Sequence, residues 1–183
     1  MKLNLGCGNR VAQGEDALNV DCREYGSWAS AKTQGANFLI TDLNVDWPWK
    51  DNSIESIHAK DIFEHLPDQI HTMMEAFRVL EPGGMLHVWV PTTDSLAAFA
   101  DPTHKSFWNV NSFYYFTTNK AKDWAEPIYS EQIPNRFELI AAKPFIYRDL
   151  PMSRGIYVQL QKPKPAADEG KDDVEESQDG RHD

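Results

Sequence analysis

Short apolar runs punctuate this chain, and most end on a glycine or an acid. Lys2-Leu3-Asn4-Leu5 runs into Gly6-Cys7-Gly8, Ala17-Leu18-Asn19-Val20 ends on Asp21, and Phe38-Leu39-Ile40-Thr41 ends on Asp42. A more polar run from Ile54 to Ala59 precedes Asp61, and Met85-Leu86-His87-Val88-Trp89-Val90 is stopped by Pro91. Runs of four to six such residues predict strands of a largely buried parallel sheet. Ile70, Met73, Met74 and Phe77 sit at i, i+3, i+4 and i+7, the spacing of one helical face. Pro67 and Asp68 suit that helix's first turn, and Pro82-Gly83-Gly84 is expected to end it and turn the chain into the next strand. Phe137 to Ala142 and Gly155 to Leu160 alternate like an antiparallel pair at a sheet edge.

Strands separated by crossovers predict an α/β, doubly wound, Rossmann-like sheet. One crossover is too short for the usual helix. Only residues 6–16 join the first strand to the second, and a parallel connection needs a dozen or so. A loop or a single helical turn is expected there.

Composition narrows the picture. The 183 residues carry 18 Lys+Arg and 28 Asp+Glu, a formal charge of −10, which disfavours nucleic acid and anionic membrane as partners. Half of that charge belongs to residues 163–183, where eight acids and three bases accompany one Val and no larger apolar side chain. That segment is expected to be a disordered acidic tail behind a domain of residues 1–162. Cys7 and Cys22 are too few for a disulfide framework and are expected to be small buried residues. The N-terminal residues lack the apolar core of a signal peptide and no run is long enough to span a bilayer, so a cytoplasmic protein is expected.

In an open parallel sheet, ligands bind beyond the carboxyl ends of the strands. Gly6 and Gly8 let the backbone approach a ligand closely. Asp21 is placed to accept two ribose hydroxyls, and Asp42 to accept from an adenine amino group. The ligand implied is an adenosine. A nicotinamide dinucleotide fits poorly, because Val11 stands where the third fingerprint glycine belongs and there is no helix to receive a pyrophosphate.

Four stretches resemble the class I S-adenosylmethionine-dependent methyltransferases, in particular their compact type-11-like branch. They are Leu3-Asn4-Leu5-Gly6-Cys7-Gly8 with Asn19-Val20-Asp21; Thr41-Asp42-Leu43 with Trp47-Pro48-Trp49; Asp61-Ile62-Phe63-Glu64-His65-Leu66-Pro67; and Phe77-Arg78-Val79-Leu80-Glu81-Pro82-Gly83-Gly84. The resemblance covers residues 2–91, with Asp101-Pro102-Thr103-His104 as a thinner continuation. It implies seven strands, the last pair antiparallel, and S-adenosyl-L-methionine as cofactor. It further implies that Gly6, Cys7 and Gly8 lie against the methionine part, that Asp21 holds the ribose, and that Asp42 and Leu43 contact the adenine. Lys60 and Asp61 would line the methionine amino group or the transfer face. The polar fourth strand, with Glu55, His58 and Lys60, and the missing first helix depart from the family pattern.

If the acceptor must lose a proton, His104 and His65 are the candidate bases. His58, His65 and His71 lack zinc spacing, and no metal set is expected. The aromatic stretch Phe107, Trp108, Phe113, Tyr114, Tyr115 and Phe116 reads as a hydrophobic lid on the core, or alternatively as a stacking surface. The leading expectation is methyl transfer to oxygen or nitrogen of a small molecule or a glycan. A non-catalytic S-adenosylmethionine-binding or interaction protein is the alternative, and a nucleotide-dependent oxidoreductase stands behind both.

Overall fold

The computed structural model describes residues 1–118, 131–147 and 153–165. The acidic tail therefore lies outside the described residues, apart from its first three positions. Seven strands form one sheet: β1 (Lys2–Leu5), β2 (Ala17–Asp21), β3 (Asn37–Ile40), β4 (Ile54–Lys60), β5 (Leu80–Pro91), β6 (Glu138–Ile146) and β7 (Arg154–Gln161). Their order is β3-β2-β1-β4-β5-β7-β6. The first five pair in parallel, and β7 runs antiparallel to both β5 and β6. Strand order reverses between β1 and β4, which sets the ligand crevice at the carboxyl ends of those two strands.

Register shows what each face buries. Leu3 and Leu5 pair with Ile57 and Ala59, which pair with Leu86 and Val88, which face Leu160 and Val158 across β7. All eight are buried in one core with Met73, Ala76 and Val79 of helix α2 (Gln69–Val79) and with Trp108, Phe113 and Phe116. On the other face Phe38 of β3 stacks 4.3 Å from Trp28 of helix α1 (Ser27–Thr33). Helices on opposite faces make the sheet doubly wound. Between them, among the described residues, no helix covers the second face at β4-β5-β7, where His58, His87, Trp89 and Tyr157 stack on one another.

Residues 6–16 contain no helix, as their number requires. Two asparagines tie the loop down instead. Asn19 is wholly buried; its Oδ1 accepts from the Ala12 amide at 2.8 Å and its Nδ2 donates to the carbonyls of Ala12 and Asn37. Asn4 Nδ2 donates to the Arg10 carbonyl at 2.7 Å. These bonds satisfy main-chain groups that a crossover helix would have satisfied internally.

Several expectations need correction. Helix α2 buries Thr72, Met73, Glu75, Ala76 and Val79, while Ile70 is exposed. Of the four large apolar residues, Met73 is in the core and Met74 and Phe77 pack partly buried against it, so only Ile70 falls outside the buried face. The helix ends at Val79, before Pro82-Gly83-Gly84. That turn is a bulge inside β5, where Leu80 pairs with Ile54 and Met85 already pairs with Ser56. Strand β3 stops at Ile40, so Asp42 lies two residues past its end. Cys7 is buried, but Cys22 is exposed. The aromatic stretch packs on the core through Trp108, Phe113 and Phe116, while Phe107 stays outside against Phe99 at 4.9 Å.

Candidate active site

Two adjoining hollows occupy the crevice. A cleft of about 140 Å³ is lined by Gly6, Asp21, Cys22, Thr41, Asp42, Leu43, Asn44, Ile62, His65 and Leu66. A larger cavity of about 660 Å³ is walled in part by Asp61, Glu64, His65, Leu96, Asp101, His104 and Tyr147. His65 belongs to both.

The cleft is built by the glycine turn after β1. Gly6 has φ +59° and Gly8 φ +49°, a region that L side chains enter at a cost. A Cβ on Gly6 would lie 2.5 Å from Ile62 Cβ, so only glycine lets the turn sit against that segment. The turn directs the Gly8 amide to Asp21 Oδ2 at 2.9 Å. Asp21 Oδ1 accepts from the Cys22 amide at 2.8 Å. The largely buried carboxylate is thus held by two main-chain donors, with acceptor capacity left over. Asp42 Oδ1 accepts from the backbone and side-chain nitrogens of Asn44. Leu43 is buried, its carbonyl accepting from Trp47 Nε1 at 3.2 Å. Arg78 braces this loop through the carbonyls of Trp47 and Trp49 and through Asp51 and Glu75.

Gly6, Asp21, Asp42 and Leu43 therefore meet in one cleft. Gly8 supports it from behind. Cys7 is buried in the turn, where desolvation and Asp21 push its thiol up to about 12; it is no nucleophile. The Lys60 side chain is exposed, and only its carbonyl takes part, accepting from Arg10 at 3.1 Å. Asp61 belongs to the larger cavity. It has φ +54° and its carboxylate receives Arg10 at 2.9 Å and the Tyr147 hydroxyl at 2.7 Å. Burial first, then Asp61, holds the Tyr147 phenol well above its ordinary value.

His65 sits in a 3-10 turn (Phe63–His65), not in the following helix. The Asp101-Pro102-Thr103-His104 loop is fastened to this turn: the Glu64 carbonyl accepts from Lys105 and Ser106 amides at 2.7 and 3.0 Å, and Ser106 Oγ donates to the Phe63 carbonyl. The imidazoles of His65 and His104 thereby come to 5.0 Å between ring centres. Glu64 beside them is 3% exposed, and its Oε2 has no hydrogen-bond partner among the described residues. Desolvation pushes this carboxyl up to about 8.

Sequence reasoning missed Arg10, Tyr147 and the role of Glu64. Tyr147 is separated from Asp61 by 86 residues, and nothing in the chain signals that contact. Arg10 follows the glycine turn directly and was readable as a charge near the crevice.

Residues 3–88 match the type-11 methyltransferase family, described as a methyltransferase domain. The chain is 28% identical over 120 residues to the 27-O-demethylrifamycin SV methyltransferase of Amycolatopsis mediterranei, covering 54% of this chain and 43% of that protein. The chain thus spans under half the length of the curated relative it matches. A chain from the Haloferax volcanii complex of the Trm112 methyltransferase activator with a methyltransferase superposes with TM-score 0.66 at 14% identity, covering 91% of this chain and 83% of that one. Burkholderia thailandensis 1,6-didemethyltoxoflavin-N1-methyltransferase, solved with its acceptor and S-adenosylhomocysteine, superposes with TM-score 0.59 at 14% identity, covering 89% and 71%. At such identities the two structures speak for the fold. Among the described residues no helix is long and apolar enough to cross a membrane.

Proposed function

We propose that this protein transfers a methyl group from S-adenosylmethionine to an oxygen or nitrogen of a small molecule or glycan. The observation that carries the reading is the pair of adjoining hollows sharing His65. One is lined by the strand-end glycine and acids, the other is a roomier chamber for a second ligand. Asp21 is assigned to the ribose hydroxyls and Asp42 with Leu43 to the adenine. Gly6, Cys7 and Gly8 form the turn under the methionine part, and Arg10 with Lys60 and Asp61 its outer wall. When bound, the cofactor supplies an electrophilic sulfonium methyl. The protein's task is then chiefly alignment, which is worth roughly 7–11 kcal/mol of barrier.

The chamber wall supports this choice of acceptor class. Among the described residues it carries three carboxyl groups, two imidazoles and a phenol, and no Lys or Arg. Such a wall, with Asp61 already paired with Arg10, suits a neutral, hydroxyl- or amine-bearing molecule. It gives no support to nucleic acid as acceptor. Loss of the acceptor proton falls to the His65–His104 side. His104 Nδ1 lies 2.8 Å from the Ala98 carbonyl and so carries the hydrogen, leaving the lone pair on Nε2.

The experiment is release of S-adenosylhomocysteine on incubating the protein with cofactor and panels of glycans, phenols and heterocyclic amines. Turnover with a neutral acceptor, lost in Asp21→Ala, is expected. Cofactor binding with no turnover on any acceptor favours the non-catalytic binding protein instead.

A further inference from the structure

We propose that Glu64, His65 and His104 form a binding site for a divalent transition-metal cation, open toward the acceptor chamber. One ligand atom from each lies within 4.8 Å of the other two. Atoms around such an ion, bound at about 2.0–2.2 Å, stand roughly 3–4 Å apart. A closure of an ångström or so at side-chain tips converts one arrangement into the other.

A second observation points the same way. Glu64 Oε2 is buried and has no hydrogen-bond partner among the described residues. An orphaned buried carboxylate oxygen is costly and calls for an occupant. A cation at this position supplies one.

The tautomers also fit. Thr103 spends its only hydroxyl hydrogen on Asp101 Oδ1 at 2.6 Å. Its Oγ1, at 3.1 Å from His65 Nδ1, must therefore accept, as must the Thr103 carbonyl at 3.3 Å. His65 thus carries its hydrogen on Nδ1, as His104 does toward the Ala98 carbonyl. Both imidazoles present a lone pair on Nε2. Metal-binding histidines are held in this way, the other ring N–H donated to a carbonyl or hydroxyl behind. Two imidazoles and a carboxylate suit zinc, cobalt, manganese or ferrous iron better than magnesium or calcium, which prefer oxygen alone.

Three protein ligands leave coordination positions free toward the chamber, the mark of a working rather than a structural ion. Its use rests on the methyl-transfer reading: an acceptor hydroxyl ligating the ion has its pKa lowered and releases its proton to water. The imidazoles then orient the ion instead of taking that proton themselves. Binding of the ion does not depend on that reading. The site was invisible as a motif because its third ligand comes from a loop 39 residues downstream of His65.

The test is titration of the full, untagged chain, first stripped with chelator, with cobalt(II). We expect saturable one-to-one binding with visible d–d absorption, displaced by zinc. Glu64→Gln, which keeps shape and removes charge, should weaken it at least about tenfold, and His104→Gln likewise. S-adenosylhomocysteine binding, measured in parallel, confirms that both variants retain the fold. Absence of cobalt absorption and of any thermal stabilisation by zinc or manganese overturns the proposal. So does binding that persists unchanged in both variants, because the ion then sits elsewhere. Neither result touches the cofactor cleft, whose own ligand is read separately.

Discussion

Gly6 concentrates the structural demands of the cleft in one residue. Its φ of +59° and the 2.5 Å approach a Cβ would make to Ile62 act together. Strain of about 1–2 kcal/mol from the backbone adds to about 1–3 kcal/mol from overpacking. Gly6→Ala should therefore lower unfolding stability by about 3 kcal/mol, read from urea denaturation. In an Ile62→Gly background, which lacks the clashing Cβ, Gly6→Ala should lose only the backbone part; an unchanged loss would contradict the steric account. Asp21 is a different case. Its carboxylate already accepts from Gly8 and Cys22, so Asp21→Ala loosens the turn as well as removing the proposed ribose acceptor. Its effect has to be judged from the ligand-induced change, not from stability alone.

At the scale of elements, Lys162 shows how far the domain reaches. Its Nζ lies 2.8 Å from the carbonyls of Phe77 and Leu80 and 2.6 Å from Asn52 Oδ1. A cation thus caps the carboxyl end of helix α2, where the macrodipole is negative. Lys162→Met keeps the apolar stem and leaves those carbonyls unmet. It should cost about 2–3 kcal/mol, measured by chemical denaturation. A loss under about 0.5 kcal/mol would mean the cap is replaced by water.

Element by element, the chain was most readable where one physical rule acts alone. Alternating or continuous apolar runs mark β1, β2 and β4, and the eleven residues between β1 and β2 exclude a helix by length. Helix α2 was found with its core-facing Met73, Met74 and Phe77, and only Ile70, in the helix's first turn, lies outside the buried face. Helix α1 was missed. Its signal is only Trp28 and Ala31 one turn apart, too little over seven residues. In the site, Gly6, Asp21, Asp42 and Leu43 were legible because strand ends in a parallel sheet converge by topology. Tyr147 and the Glu64–His65–His104 cluster were not, since they depend on loops whose paths are fixed by main-chain bonds such as Lys105 to Glu64.

Across the whole molecule, the sheet face at β4-β5-β7 has a consequence for pH. His87 is half-buried against His58 and Tyr157. Burial first, then His58, pulls it down to about 4 from an ordinary value of 6.5. Between those values the unfolded chain binds the proton and the folded one does not, so stability falls as pH drops from about 6.5 toward 4. Solvent access limits the effect to about 1 kcal/mol. Urea midpoints at pH 7 and pH 5 should differ accordingly, and His87→Gln should flatten the difference. An unchanged slope would show that other groups carry it.

The central claim is that the cleft beside Gly6 and Asp21 holds S-adenosyl ligands. Its most direct measurement is thermal unfolding with and without S-adenosylhomocysteine, for the unaltered chain and for Asp21→Ala. Ligand at 100 times its dissociation constant stabilises by about 2.7 kcal/mol, a midpoint rise of roughly 5–10 °C for a domain of this size. The account predicts that rise in the unaltered chain and its loss in Asp21→Ala. No rise at millimolar ligand in a folded protein, or an equal rise in Asp21→Ala, would contradict it.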